Sequence, residues 1–282
     1  MPPMPSPPPP RRSTARSLLL LPREPVDIAL LPTTRLTPAD IGAIWGLYSR
    51  YFEARAEGFE QRVRQLPEVA LFRTREGTLV GLAGVDVQRV RHDGRSTTVM
   101  YTGPLLVDER YRRQNLPLVL GVRLFLRAKL RRPFERVDWL FGAASYKSYA
   151  LLPRNLAEFW PRRDQPTPPA TAAYMDFLGR ARFGEDWQPA RGVVGVSTPL
   201  RPETAPIDER RRADPDIAFF ESANAGHRKG EMLLCLCPMT LANWTHVAKN
   251  FVRRRRDVRA RGRSMRRHGA AIRPSLTTHT PA

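Results

Sequence analysis

Val99-Met-Tyr-Thr-Gly-Pro-Leu-Leu-Val107, Asp108-Glu-Arg-Tyr-Arg-Arg-Gln-Asn115, Leu116-Pro-Leu-Val-Leu-Gly-Val-Arg-Leu-Phe-Leu-Arg-Ala-Lys-Leu130 and Val137-Asp-Trp-Leu-Phe-Gly-Ala143 decide the fold. They read as strand, basic loop, apolar helix and strand. Asn115 can cap the helix, and Pro117 is tolerated in its first turn. The helix is apolar on most sides apart from Arg123, Arg127 and Lys129, which predicts packing on a sheet. A loop entering a helix start presents unpaired backbone N–H groups, and the helix dipole favours an anion there. Arg112 and Arg113 add charge at the rim.

Upstream, Val26–Leu31 reads as a strand. Thr37-Pro-Ala-Asp40 opens a helix with Thr37 as N-cap. Ile41, Ile44, Trp45, Tyr48, Tyr51 and Phe52 carry that helix to about Ala56. A short helix is expected over Phe59–Leu66. Val69–Arg75, Leu79–Val90 and Ser96–Val107 are three strands joined by the turns at Gly77 and Gly94, an antiparallel meander.

Downstream, Ser145–Leu152 and Thr171–Phe183 read as helices and Val193–Thr198 as a strand. Arg201–Asp214 is a charged connector. Asp216–Ala223 is helical, Glu231–Cys237 is a strand and Thr240–Arg256 is a helix. Residues 1–24, rich in Pro and Arg, and the basic residues 253–282 lack a hydrophobic period and are expected to be disordered. The expected divisions are a leader (1–24), a core (25–155), an extension packing on it (156–252) and a tail.

The 282 residues carry 47 Lys+Arg against 27 Asp+Glu, a net charge of +20. That points to anionic partners without choosing among them. A hydrophobic content of 41% with five Trp can bury a core, which excludes wholesale disorder. No apolar run reaches the ~18–20 residues of a membrane span, and Leu18–Leu21 is short for an export signal. The location expected is cytoplasmic, with peripheral membrane contact left open. Cys235 and Cys237 are read as diverging to opposite strand faces, unable to bridge, and used as small buried hydrophobes. His227 and His246 are isolated, so no metal is expected.

The order of elements from residue 25 to 155 resembles the GCN5-related N-acetyltransferase (GNAT) superfamily, about half the chain. In that family the loop reads Arg/Gln-x-x-Gly-x-Gly/Ala, and its amides cradle the pyrophosphate of acyl-CoA. Here Arg112 matches, while Asn115 and Pro117 stand where the family has small residues. The resemblance implies an α/β fold with a mixed, mostly antiparallel sheet flanked by helices, followed here by a C-terminal α/β extension. It implies acetyl-CoA or a longer acyl-CoA as co-substrate, held by Leu105, Leu106, Val107, Arg112, Arg113, Gln114, Asn115 and Leu116. Gly103-Pro104 is expected to supply a bulge in the splayed fourth strand.

The family reaction is direct attack of an amine on the thioester, often with a Tyr acid for the thiolate. The family's Tyr position falls near Leu151 or Leu152, so Tyr149 and Tyr146 become the candidates, with Ser145 behind them. Asp86 and Tyr101 are candidate base or amine-positioning groups; a solvated strand face is the plainer reading of Asp86. The resemblance implies a small-molecule or peptide amine as acceptor, and acyl carrier protein is a further donor to consider. A different class stays open: a catalytically inactive GNAT-shaped protein whose Arg253–Arg267 tail binds a membrane surface or nucleic acid.

Overall fold

The computed structural model describes residues 24–195, 198–247 and 249; the Arg113 side chain lies outside it too. One eight-stranded sheet runs through the molecule in the order β1-β2-β3-β4-β5-β8-β7-β6. Its strands are β1 (Val26–Pro32), β2 (Glu68–Thr74), β3 (Leu79–His92), β4 (Arg95–Val107), β5 (Arg136–Ala143), β6 (Trp187–Gln188), β7 (Val193–Val194) and β8 (Met232–Pro238). Every pairing is antiparallel except β4 with β5. The fold is therefore α/β with a mixed, mostly antiparallel sheet, and its element order up to residue 155 is the expected one.

The helices are α1 (Pro38–Tyr48), α2 (Phe59–Arg64), α3 (Leu116–Arg131), α4 (Tyr146–Tyr149), α5 (Leu151–Asn155), α6 (Pro169–Phe183), α7 (Glu209–Arg212) and α8 (Pro215–Ala223). On one face of the sheet α3, α4, α5 and α8 bury the largest apolar cluster, centred on Leu120, Leu124, Trp139 and Tyr149. On the other face α1 and α2 cover the β1–β4 end. There α6 covers β4, β5 and β8. Period-two alternation along the strands feeds the two layers. Thus Ala70 and Phe72 of β2 face α3, while Val69 and Leu71 face α1.

Several local readings change. The capping box of Thr37 and Asp40 starts α1, but the helix ends at Tyr48 rather than Ala56. Tertiary pairing takes the following turn: Phe52 bridges Leu200, Glu53 N donates to the Pro199 carbonyl (2.9 Å) and Arg201 N to that of Tyr51 (2.9 Å). The helix expected over Ser145–Leu152 is two short ones, α4 and α5. Asn115 precedes α3 in the left-handed region (φ 54°) and makes no side-chain cap. Among the described residues α3 is covered on one face; Leu126 and Leu130 on its other side are 54% and 87% exposed.

Cys235 and Cys237 share a face, because positions two apart in a strand do. Both point into the α3 layer, buried and free, with thiol pKa values pushed up by burial. β8 also departs from a simple extension: it hydrogen-bonds β5 from Asp138↔Pro238 to Ala143↔Leu233 and so lies inside the sheet. Beyond it, residues 241–247 are helical, and Trp244 packs on Phe125 of α3 at 4.5 Å between ring centroids. The leader up to residue 23 and the tail from 250, with Arg253–Arg267, lie outside the described residues. Among those described, no helix is long and apolar enough to cross a membrane.

Candidate functional site

The site begins where β4 and β5 part. Their parallel ladder runs from Thr97↔Arg136 to Tyr101↔Leu140 and stops. Just past its last rung the Trp139 indole N–H donates to the buried Thr102 hydroxyl (2.8 Å). The register of β3 against β4 then shifts between Ala83 and Val85, so that Gly103-Pro104 stands opposite Gly84 as a bulge. A side chain at Gly84 cannot fit: a Cβ would lie 2.1 Å from Leu66 Cδ1 and 2.4 Å from the Gly103 carbonyl oxygen. After the bulge Leu105, Leu106 and Val107 pair only with β3, through Ala83, Leu82 and Gly81. Among the described residues no strand lies beside the other edge of this segment, which faces a cleft.

Two adjoining cavities line that opening. The smaller, about 170 Å³, runs along Leu105–Val107 to Arg112, Asn115 and Pro117 on one side and to Ser145, Lys147 and Leu151 on the other. The larger, about 300 Å³, passes the bulge and continues under α1 and α2. They share Phe52, Leu105, Ala144 and Ser148. Leu200 and Thr204 roof the smaller one. The Thr204 hydroxyl donates to the Tyr51 carbonyl at 3.2 Å, which ties this roof to the turn after α1.

The far end of the smaller cavity is cationic. Residues Arg112–Gln114 form a 3-10 turn that leads through Asn115 into α3. At this helix start Pro117 has no N–H, and the Leu118 and Val119 amides both donate to the Asn115 carbonyl (2.9 and 3.1 Å), so the positive charge here comes from side chains. Arg112 Nε donates to the Val107 carbonyl (3.0 Å), and its guanidinium lies 5.5 Å from the Tyr51 ring centroid. Lys147 reaches in from α4 and donates to the Thr204 carbonyl. Burial, and then the nearby Arg112 and Arg211 cations, hold its ammonium pKa below the usual lysine value. Arg112 and Lys147 thus bring two cations to this end, while Arg211 nearby is paired with Asp208 (2.7 Å). Gln114 points elsewhere: its amide donates to the Glu24 carbonyl (3.0 Å). Leu116 is core, 4% exposed.

At the bulge stands Tyr101, opposite Asp86 on β3. A Cβ on Gly103 would lie 2.6 Å from the Tyr101 hydroxyl, so the phenol sits on the bulge itself. Burial pushes its pKa up, so the phenol stays protonated at neutral pH. The Arg182 guanidinium from α6 lies 4.1 Å over the Tyr101 ring and is ion-paired with Asp86. Asp86 also accepts from Gln88 Nε2 (2.8 Å). It is buried, 6% exposed, rather than on a solvated strand face. Both bonds fall on Oδ2, through which Asp86 holds Arg182 over the phenol.

The structure does not bring Tyr146 and Tyr149 to the cleft. The Tyr149 ring is enclosed by Phe159, Phe219 and Phe220. Its hydroxyl donates to the Pro161 carbonyl (3.1 Å), and burial pushes its pKa up. Tyr146 is a core residue, 8% exposed. The same turn of chain instead offers Ser148, which lines both cavities. Its hydroxyl donates to the Ser145 carbonyl (3.0 Å) and lies 3.1 Å from the Ser145 hydroxyl. Sequence reasoning missed Ser148, Lys147 and Asp186, an exposed carboxylate on the wall of the larger cavity. A helix reading from Ser145 would have allowed a one-turn shift among Ser145, Lys147 and Ser148. Nothing local marks Asp186.

No protein-family model matches the chain, and no curated protein matches it. Among solved structures it is similar to an aminoglycoside antibiotic 6'-N-acetyltransferase from Acinetobacter baumannii, at 16% identity and a TM-score of 0.31, over 39% of this chain and 78% of that one. A GNAT family N-acetyltransferase from Escherichia coli, solved in complex with CoA, is similar at 24% identity and a TM-score of 0.31, over 44% and 65%. A ribosomal-protein-alanine N-acetyltransferase from Brucella melitensis is similar at 15% identity and a TM-score of 0.37, over 51% and 99%. At this level of similarity, function rests on the chain's own strands and side chains.

Proposed function

We propose that the protein is an acyltransferase that moves an acyl group from an acyl-CoA to an amine. The observation that carries this reading is the end of the β4–β5 ladder at Tyr101↔Leu140. It opens an unpaired strand edge between a cationic pocket and a buried phenol. The amide-bearing arm of the cofactor would pair with the free edge of Leu105–Val107, as an added strand does. Its phosphates would meet the side chains of Arg112 and Lys147. Acyl carrier protein would offer the same phosphopantetheine arm without the nucleotide phosphates.

The thioester then lies at the bulge. The amine nitrogen attacks the carbonyl carbon; a C–N bond forms, the C–S bond breaks, and the thiolate leaves. The amine proton passes to water at the open end of the larger cavity, near Asp186. Tyr101, kept protonated by burial, donates its phenolic proton to the departing sulfur and regains one from water. Arg182, held by Asp86, fixes the ring. Ser148, whose side chain lines both cavities, would help orient the thioester.

Calorimetric titration with CoA, acetyl-CoA and longer acyl-CoAs tests this, on the full chain and on Arg112→Glu. Saturable one-to-one binding is expected, lost or strongly weakened by the charge reversal. Absence of binding at every chain length contradicts the enzyme reading. The other class, a binding protein acting through its basic tail, predicts that outcome, together with loss of membrane or nucleic-acid binding on deleting residues 253–282.

A further inference from the structure

The larger cavity is deeper than an acetyl group needs. Its volume is about 300 Å³. At roughly 30 Å³ for a group of water size, a methylene included, that is room for about ten heavy atoms, those of the thioester group at the bulge among them. The walls of its deep end are Ile44, Tyr48, Phe59, Val63, Leu66 and Leu82. They are rigidly set. The Tyr48 ring stacks on Phe52 with centroids 4.2 Å apart, and Phe59 meets Trp45 edge-on at 4.9 Å. Arg62 also touches this end, but its guanidinium is held by the carbonyls of Arg55 (3.2 Å) and Glu57 (3.3 Å). The lining is mostly apolar, so an apolar group gains by burial against it.

The chemistry of the walls selects the occupant. An amine acceptor is cationic in water, and the deep end offers it no carboxylate. Asp186, the one carboxylate among the lining residues, belongs to the turn after α6, on the side away from α1 and α2. An acyl chain needs no polar partner, and it would enter from the bulge, where both cavities share Leu105 and Ala144. We infer that this chamber holds the acyl chain of the donor, a straight chain of about six to eight carbons whose terminal methyl lies between α1 and α2. The inference rests on the thioester reading above and adds the donor's length class.

The test is a calorimetric series with CoA, acetyl-, hexanoyl-, octanoyl-, decanoyl- and palmitoyl-CoA, each below its micelle-forming concentration. The expected result is a Kd that falls roughly tenfold for every two carbons, as burial of methylenes dictates. The fall should stop near six to eight carbons, when the chamber is full. Val63→Phe narrows the deep end and should move that break down by two carbons or more. CoA bound with equal Kd from acetyl to decanoyl overturns the chamber while leaving the thioester reading intact. Palmitoyl-CoA binding tightest in both proteins overturns it as well, since the chain would then lie on the outer surface. Failure to bind CoA or any thioester overturns both. The wild-type series decides the matter even if Val63→Phe does not fold.

Discussion

Replacing Lys147 by Met probes the anion end of the cleft. In the free protein its ammonium is disfavoured, by burial first and by the Arg112 and Arg211 cations next. A phosphate would supply the charge it lacks. A charge-assisted hydrogen bond contributes about 1.5–3 kcal/mol. Lys147 is on an exposed surface of α4, so the lower part of that range applies, and the variant should bind CoA about 10- to 30-fold more weakly at low salt. The gap should shrink in roughly 0.5 M salt, where screening shortens to a few ångströms. The sign of the pH effect follows from the same pairing. The protonated form binds, the free-state pKa is lowered, and bound phosphate raises it again. Binding should therefore take up protons, and affinity should fall as pH climbs toward the lysine range sooner than an ordinary lysine would dictate. Calorimetry in buffers of different ionisation enthalpy measures the uptake. A folded Lys147→Met protein with Kd within twofold of wild type at low salt refutes the placement of phosphate beside Lys147.

Three further outcomes follow from named contacts. Tyr101→Phe should keep thioester binding and lower the rate of transfer about 10²- to 10⁴-fold, the usual range for a lost acid, as measured by single-turnover release of free thiol. Arg182→Leu leaves Asp86 buried without its ion pair and should cost about 3 kcal/mol, read as a lower urea midpoint with an unchanged m-value. Gly84→Ala drives a Cβ into the Gly103 carbonyl and should cost about 1–3 kcal/mol in the same melts while weakening CoA binding through the distorted bulge.

Much of the fold is legible because it is locally encoded. The Gly77 and Gly94 turns mark the meander, Thr37 and Asp40 mark the start of α1, and Gly103-Pro104 marks the bulge. Each is a statement about a few adjacent residues. The insertion of β8 beside β5 is not local: Met232–Pro238 is an apolar run that could fill any buried strand position. Chain order alone does not choose its neighbour. The early end of α1 has the same origin, since Leu200, far along the chain, takes Phe52 into a bridge.

The site divides in the same way. Leu105–Val107, Arg112, Asn115 and Tyr101 were readable from one stretch of strand and loop, and the structure gathers them around one cleft. The α4 residues were not, because a single residue of helical phase separates Ser148, which lines the cleft, from Tyr149, which is enclosed by Phe159, Phe219 and Phe220. Arg182 comes from α6, and its pairing with Asp86 across the sheet has no signature in either segment.

Hydrogen exchange of the full chain with and without CoA tests the central claim most directly. The amides of the free β4 edge, within Leu105–Val107, and those leading into α3, from Arg112 to Leu118, should exchange more slowly when CoA is bound, while β1 and β2 change little. Binding of CoA without protection in either segment would contradict a thioester site in the gap between β4 and β5.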